Sequence, residues 1–224
     1  MPDEILDSQD GSHTILSEKF GVSYHSKYGA ITESNHVFLE AGLKYLFKQN
    51  YKEIKILEMG FGTGLNALLT YQFALSNSLN INYHTFEKYP LESSIYSQLN
   101  YLEKLQLYNL EKDFKRMHEC NTDEEQIMHS YFTFTKYIED ILSATLPVSV
   151  DLIYYDAFAP NSQSELWEED ILSRLYESLN TGGVLTTYCA KGSFKRAMKS
   201  VGFTLDSIPG PHGKREMTRG IKMN

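Results

Sequence analysis

Two short stretches of this chain bring together residue types that can bind a ligand and react with it. The first is Met59-Gly60-Phe61-Gly62-Thr63-Gly64-Leu65-Asn66, preceded by Glu58. An apolar run from Ile54 to Met59 leads into three glycines at every second position, and Leu65, Leu68 and Leu69 then recur at helical spacing. Strand, tight glycine turn and helix open a nucleotide-binding βαβ unit, in which glycine lets the backbone come close to a ligand. The spacing departs from G-x-G-x-x-G. The third glycine comes one residue early, and Glu58 brings negative charge to a turn where a pyrophosphate would want bare N–H groups. A cationic ligand or hydroxyls suit such a turn better. Further on, Tyr83 to Glu87 reads as a second strand closing on an acid, and Glu87 is placed for the two hydroxyls of an unphosphorylated ribose.

The second stretch is Asp151-Leu-Ile-Tyr-Tyr-Asp156-Ala-Phe158-Ala-Pro160. It reads as a strand that carries Asp156 to the end of the sheet where ligands bind, followed by a loop that proline keeps from continuing as a strand. A carboxylate there can accept a hydrogen bond from an amine, orient it and take its proton as positive charge builds on nitrogen. Phe158 and Pro160 would wall the pocket against water. Two acids around a glycine turn describe S-adenosylmethionine methyltransferases better than dehydrogenases.

The elements that must position these residues alternate. Strands are expected at 54–59, 81–87, 131–135, 151–155, 184–188 and 203–208, with a last antiparallel run at 216–222 after the turn Pro209-Gly210-Pro211-His212-Gly213. Helices are expected at 65–75, from about Leu91, at 138–142, at 166–179 ending on Asn180-Thr181-Gly182-Gly183, and at 194–201. Residues 101–130 read as helix and loop. Ahead of the main unit, residues 1–17 read as a loosely held lead-in, 17–33 as a β-hairpin and the segment from about Asn35 as a helix with a broad apolar face. Alternating strands and helices with right-handed crossovers give an α/β three-layer sheet with ligand at the strands' carboxyl ends. Seven strands, mostly parallel and ending on an antiparallel one, resemble the Rossmann-like fold of the class I S-adenosylmethionine methyltransferases. The expected organisation is one domain over 1–224, with 1–50 an extension and 51–224 the core.

Composition sets limits. At 224 residues, 42% of them hydrophobic and 22% charged, the chain has ample material for one continuous core. No apolar run approaches the ~20 residues of a membrane span, and no basic, then apolar, leader precedes Ser17. Cys120 and Cys189 are far apart and lack ligand-spaced partners, so free thiols, a reducing cytoplasm and no metal site are expected. The net charge of −8 argues against a nucleic-acid partner taken over the whole chain. Yet Lys191, Lys195, Arg196, Lys199, Lys214, Arg215, Arg219 and Lys222 face only Asp206 and Glu216 in the C-terminal segment, which can form a local phosphate-binding face.

Several motifs in order carry a resemblance to a known family. The run Met59 to Asn66 resembles the glycine turn of the MnmC/MnmD tRNA methyltransferases, and Asp156 to Pro160 with Leu166-Trp167 resembles their catalytic loop. Gly213-Lys-Arg-Glu-Met217 is similar to their C-terminal signature, and Tyr28 to Phe38 to their N-terminal segment. The resemblance covers most of residues 18–222. It implies transfer of a methyl group from S-adenosylmethionine to the 5-aminomethyl group of (2-thio)uridine at the wobble position of tRNA. The chain looks like the stand-alone methylating form, in which the amine-generating activity of the fused members is absent or supplied by another protein. Carried over by position, Gly60, Phe61, Gly62 and Gly64, with Glu58 and Asn66, would hold the cofactor, Glu87 its ribose and Lys136 its adenine. Asp156 would bind the cofactor and act on the amine. Tyr28, Glu33, Phe158 and Tyr188 would line the substrate pocket, and Lys191, Lys195, Arg196, Lys214 and Arg215 would meet tRNA phosphates. Three other readings stand beside this one: methylation of a small-molecule or protein amine, an NAD(P) oxidoreductase, and a silent binding module on the same fold.

Overall fold

In each central strand, alternate side chains feed two separate apolar cores. The computed structural model describes residues 3–223; Met1, Pro2 and Asn224, at the ends of the expected domain and lead-in, lie outside the described residues. Strands β1 (Glu4–Asp7) and β2 (His13–Leu16) form an antiparallel hairpin. The main sheet contains β3 (Glu53–Met59), β4 (Asn80–Phe86), β5 (Gln126–His129), β6 (Phe132–Tyr137), β7 (Val150–Tyr155), β8 (Leu179–Thr187), β9 (Thr204–Pro209) and β10 (Glu216–Ile221). Its spatial order is β5-β6-β4-β3-β7-β8-β10-β9. β6, β4, β3, β7 and β8 run parallel, while β10 is antiparallel to both β8 and β9, and β5 is antiparallel to β6.

Strand β3 shows the division of the cores. Ile54 and Ile56 face the core built with the helix Leu65–Asn77 and residues 30–47, whereas Leu57 and Met59 face the core built with the helices Glu169–Ser178 and Gly192–Ser200. β7 splits the same way, with Leu152 and Tyr154 on one face and Ile153 and Tyr155 on the other. Both faces are covered, which is why these strands are continuously apolar. The chain leaves β3 towards β4 and β6, then returns to lay β7 and β8 on β3's other side. The strand order therefore reverses between β3 and β7, where a ligand crevice forms in such sheets.

The structure departs from the sequence reading in several places. The hairpin lies at residues 4–16, inside the expected lead-in, and not at 17–33, where only an isolated Leu16–Ser23 bridge forms. Its turn is the Asp10-Gly11 pair, with Gly11 at φ +77°. The first helical segment begins at Ala30 and widens to π geometry over Asn35–Leu43 before Lys44–Phe47. The expected helix at 138–142 is a turn, held by Asp140 Oδ1 accepting the Leu142 amide at 3.0 Å. Leu179 already starts β8, so Asn180 to Gly183 lie in a strand and not in a helix stop; β8 shifts register against β7 there. β5 adds an eighth strand within the segment expected as helix and loop.

Candidate functional site

The crevice at the reversal is closed by backbone contacts between its two key loops. Asp156 N donates to the Met59 carbonyl at 3.2 Å, and a Cβ at Gly60 would stand 2.8 Å from the Asp156 carbonyl oxygen. Gly60 also has φ +91°, so both conformation and space exclude a side chain there. Gly64, at φ +76°, starts the helix Leu65–Asn77, and a Cβ on it would press on Phe61, His118 and Phe114. The glycine turn is thus clamped between β7 and the packed aromatic group behind it.

A cavity opens above this turn. Its walls are Gly60, Phe61, Gly62, Thr63, Leu65 and Asn66 from the turn, Phe86 to Tyr89 from the end of β4, Glu139 to Leu142 after β6, and Asp156 to Phe158 after β7. Phe20, Tyr24 and His25 close it from the N-terminal segment, and Gln163, Glu165 and Leu166 from the loop after Asp156. Phe158 packs its ring 4.8 Å from Phe20 and 5.0 Å from Tyr24, forming an aromatic lid edge. The loop behind Phe158 is fixed by Trp167 Nε1, which donates to the Phe158 carbonyl at 2.8 Å.

Glu87 sits where β4 ends. Its Oε2 accepts the Gly62 amide at 2.8 Å and its Oε1 accepts the Tyr89 amide at 2.7 Å, so the carboxylate ties β4 to the glycine turn. Burial raises its pKa, opposed by those backbone donors and by Lys136. Each oxygen keeps a free lone pair for a ligand hydroxyl. Asp156 lies partly buried in the opposite wall, and its Oδ2 accepts Asn66 Nδ2 at 2.9 Å. Burial pushes the Asp156 carboxyl up to about 7; the Asn66 hydrogen bond and Lys214 pull it down, and Glu33 pushes it up further.

Next to Asp156 lies a second polar group contributed by distant segments. Glu33 is only 7% exposed; its Oε1 pairs with Lys214 Nζ at 2.6 Å and its Oε2 accepts the Ser26 amide at 2.7 Å. Lys214 Nζ stands 3.9 Å over the Tyr188 ring, and the Tyr188 hydroxyl donates to the Ala157 carbonyl at 2.8 Å. Tyr28 packs edge-on to His212, 4.8 Å between ring centroids. Glu33, Lys214 and Tyr188 therefore lie beside Asp156 and Tyr28 beside His212, none of them in the cavity wall, whereas Phe158 does form it.

Two sequence-derived positions fall elsewhere. Glu58 belongs to β3, on the face shared by Ile54 and Ile56, and its side chain is fully buried beneath the turn, hydrogen-bonded by Thr85 Oγ1 at 2.7 Å. Lys136 is 1% exposed and donates to the carbonyls of Met117 (2.9 Å) and His118, at the end of the helix Glu111–Glu119. It reaches away from the cavity because a lysine at that register points into the core, where unpaired helix carbonyls offer acceptors. In its place the wall after β6 carries Asp140, Ile141 and Leu142. Asp140 also pairs with Lys88 at 2.6 Å. An acid shortly after the third parallel strand was the available signal, hidden by reading 138–142 as a helix. His25 and Thr63 were missed as well; each presents a buried polar atom, Nδ1 and Oγ1, that makes no hydrogen bond.

The proposed phosphate contacts divide. Lys191, Arg196 and Arg215 are exposed, whereas Lys195 pairs with Glu216 at 2.9 Å and Lys214 with Glu33. Among the described residues no group of three or more His, Cys, Asp or Glu is arranged to hold a metal ion, and no helix is long and apolar enough to cross a membrane.

Comparison with known proteins adds to this geometry. A family model described as S-adenosyl-L-methionine-dependent methyltransferase matches residues 102–223. A Leptospira interrogans protein named tRNA 5-methylaminomethyl-2-thiouridine biosynthesis bifunctional protein MnmC is 30% identical over 221 residues, covering 92% of this chain and 33% of the relative. A protein of the same name from Cupriavidus metallidurans is 27% identical over 231 residues, covering 97% of this chain and 33% of the relative. The chain thus spans about a third of the length of the curated relatives it matches. Among solved structures, MNMC2 from Aquifex aeolicus superposes with a TM-score of 0.80 at 26% identity, covering 98% of this chain and 69% of that one. Spermidine synthase from Thermotoga maritima shares the fold at a TM-score of 0.58 and 11% identity, covering 98% and 68%.

Proposed function

The chain belongs to the S-adenosyl-L-methionine-dependent methyltransferase family, and from that premise we propose that it methylates the 5-aminomethyl group of a (2-thio)uridine at the wobble position of tRNA. The names of the relatives from Leptospira and Cupriavidus, and the likeness to Aquifex MNMC2, support this substrate. The amine is made by a separate activity. In this reading residues 1–50 and 51–224 act as one domain, since the Glu33–Lys214 pair joins them at the site.

The residues present fit S-adenosylmethionine. Gly60 and Gly62 leave the turn bare where a side chain would strike Asp156 or Tyr24. Glu87 offers carboxylate oxygens to a ribose, and Phe86, Ile141, Leu142 and Leu166 give an apolar slot of the kind an adenine ring requires. The unpartnered His25 Nδ1, Thr63 Oγ1 and Asn66 Oδ1 supply buried polar contacts for the amino-acid end. When bound, the cofactor supplies an electrophilic methyl carbon on a cationic sulfur.

The chain's own residues do the rest. Asp156 accepts a hydrogen bond from the substrate amine, keeps its lone pair directed into the cavity and takes up the proton that nitrogen must lose. Phe158, Phe20 and Tyr24 cover the reacting atoms, and the low polarity strengthens each charge interaction inside. Tyr188 and Glu33 flank the approach, and positioning of this kind accounts for up to ~7–11 kcal/mol of a bimolecular barrier at the favourable limit. The base is turned out of its stack to reach Asp156. The observation that carries the proposal is the single carboxylate of Asp156 set between the glycine-turn cavity and the Glu33–Lys214–Tyr188 group.

The test is transfer of labelled methyl from S-adenosylmethionine to tRNA from cells lacking this enzyme, followed by nucleoside mass analysis. Label in 5-methylaminomethyl(-2-thio)uridine, lost with Asp156→Ala, is expected. A protein that binds the cofactor and labels no tRNA nucleoside removes the wobble-uridine reading in favour of a smaller amine.

A further inference from the structure

The loop that carries Asp156 has no regular structure of its own. Residues 156–163 belong to no strand or helix, so individual contacts must hold the chain there. Three consecutive residues are tied. The Asp156 amide donates to the Met59 carbonyl at 3.2 Å, the Tyr188 hydroxyl to the Ala157 carbonyl at 2.8 Å, and Trp167 Nε1 to the Phe158 carbonyl at 2.8 Å. The first and third ties are anchored in one core, to which Met59 and Trp167 both belong, Trp167 packing against Tyr155 and Phe194.

The middle tie depends on segments from both ends of the chain. Tyr188 follows β8, and the Lys214 ammonium stands 3.9 Å over its ring. Lys214 is paired with Glu33 at 2.6 Å, and Glu33 is fixed in turn by the Ser26 amide at 2.7 Å. Contacts therefore run from the N-terminal segment, through Lys214 and Tyr188, to the backbone one residue beyond Asp156. These polar groups have little left for a substrate. A tyrosine has one O–H, and that of Tyr188 is used on Ala157. Both Glu33 oxygens are engaged, and Lys214 directs its charge at Glu33 and the Tyr188 ring. None of the three lines the cavity. The family resemblance implies that Glu33 and Tyr188 wall the substrate pocket; their contacts point to another task.

We propose that Glu33, Lys214 and Tyr188 are positioning residues that set the Ala157 carbonyl, and with it the direction of the Asp156 carboxylate, without touching the methyl acceptor. The inference rests on the reading of Asp156 given above. Fixing the Asp156 amide on one side and the Ala157 carbonyl on the other pins the backbone torsions between them, from which the Asp156 side chain projects. Without the second tie those torsions drift, and a displacement of about 1 Å at a reacting group costs on the order of 10²-fold in rate.

Two measurements test this, one of them without any substrate. Ala157-Phe158 is the only Ala-Phe pair in the sequence. Protein labelled with carbon-13 at alanine carbonyls and nitrogen-15 at phenylalanine amides therefore gives a single carbonyl–amide correlation. Tyr188→Phe keeps the ring and removes the hydroxyl, and the Ala157 carbonyl resonance is expected to move upfield. Glu33→Gln, which loosens the hold on Lys214, is expected to move it the same way by a smaller amount. A resonance unmoved in either variant overturns the proposal, and the glutamine variant serves alone where the phenylalanine variant does not fold. The second measurement is single-turnover methyl transfer to tRNA at saturating cofactor. In Tyr188→Phe the rate at saturating tRNA should fall by about 10²-fold, with the half-saturating tRNA concentration within about twofold of the parent's. A larger rise in that concentration shows the hydroxyl meeting the substrate and overturns the proposal, as does an unchanged rate. A parent protein that labels no tRNA removes the wobble-uridine reading and leaves the resonance measurement standing.

Discussion

At Asp156 burial and hydrogen bonding pull in opposite directions. Desolvation raises its carboxyl to about 7 against the pull of Asn66 and Lys214, so the group is divided between acid and anion at neutral pH. In the proposed reaction only the anion can accept the amine's proton. Single-turnover methyl transfer is therefore expected to rise through about pH 7, and Asp156→Asn to lower it by about 10²–10⁴-fold across the range, measured from pH 6 to 9 at saturating cofactor. Glu58 gives a different prediction, on stability. Its carboxyl moves from 4.5 to about 8 on folding, mainly through burial. Between those values the folded chain holds a proton that the unfolded chain has released, so ν_N exceeds ν_U and stability falls as pH rises. The contribution is complete below the unfolded value and is lost as pH climbs through about 8. The limiting slope is about 1.4 kcal/mol per pH unit. Urea midpoints taken at pH 6 and pH 8 should differ in the parent protein, and Glu58→Gln should flatten that difference.

At the level of elements, Lys136 shows how a strand-end residue can serve the fold and not the ligand. Its ammonium satisfies two carbonyls at the end of the helix Glu111–Glu119, so Lys136→Met leaves buried acceptors without a donor. The expected cost is about 1–3 kcal/mol in thermal or urea unfolding. Cofactor affinity by calorimetry should stay within about twofold, where an adenine contact worth ~1.4 kcal/mol would cost tenfold. The reason this residue misled the sequence reading is geometric. Strand, turn and helix over 54–77 were legible because a short apolar run leads directly into a period of 3.6, with three glycines at the seam. A residue one position along a strand faces the other side, so predicting a strand end to within a residue or two does not decide which side chain meets a ligand. Glu58 and Lys136 are both such residues. The turn at 138–142 failed for another reason: five residues, three of them apolar, are too short to carry a usable period, and the Asp140 carboxylate on the Leu142 amide holds the turn. The hairpin at 4–16 had a readable Asp10-Gly11 signal that a polar, acidic context obscured.

Across the whole molecule, charge and chain distance govern what remained out of sight. Glu33 and Lys214 are far apart in sequence and meet beside Asp156 through an ion pair of 2.6 Å, a contact that no local spacing encodes. The same pairing thins the basic C-terminal segment. Lys195 is matched by Glu216, Lys214 by Glu33 and Arg219 by Asp206, while Lys222 donates to the carbonyls of Tyr176 and Leu179. Lys191, Arg196, Lys199 and Arg215 form no ion pair among the described residues and are all exposed, so the cationic face is smaller than the count of lysines and arginines suggests. On an acidic body such a face binds phosphate locally and weakly, and the binding is expected to depend on salt. Charge reversal separates the two kinds of cation. Arg196→Glu with Arg215→Glu should weaken tRNA binding at low salt by more than tenfold and reduce the slope of log affinity against log salt by about 1–2, leaving cofactor affinity as it was. Lys195→Met, which removes a cation already neutralised by Glu216, should change that slope by much less. Equal effects of the two changes, read by filter binding across a salt series, would place the tRNA elsewhere on the surface.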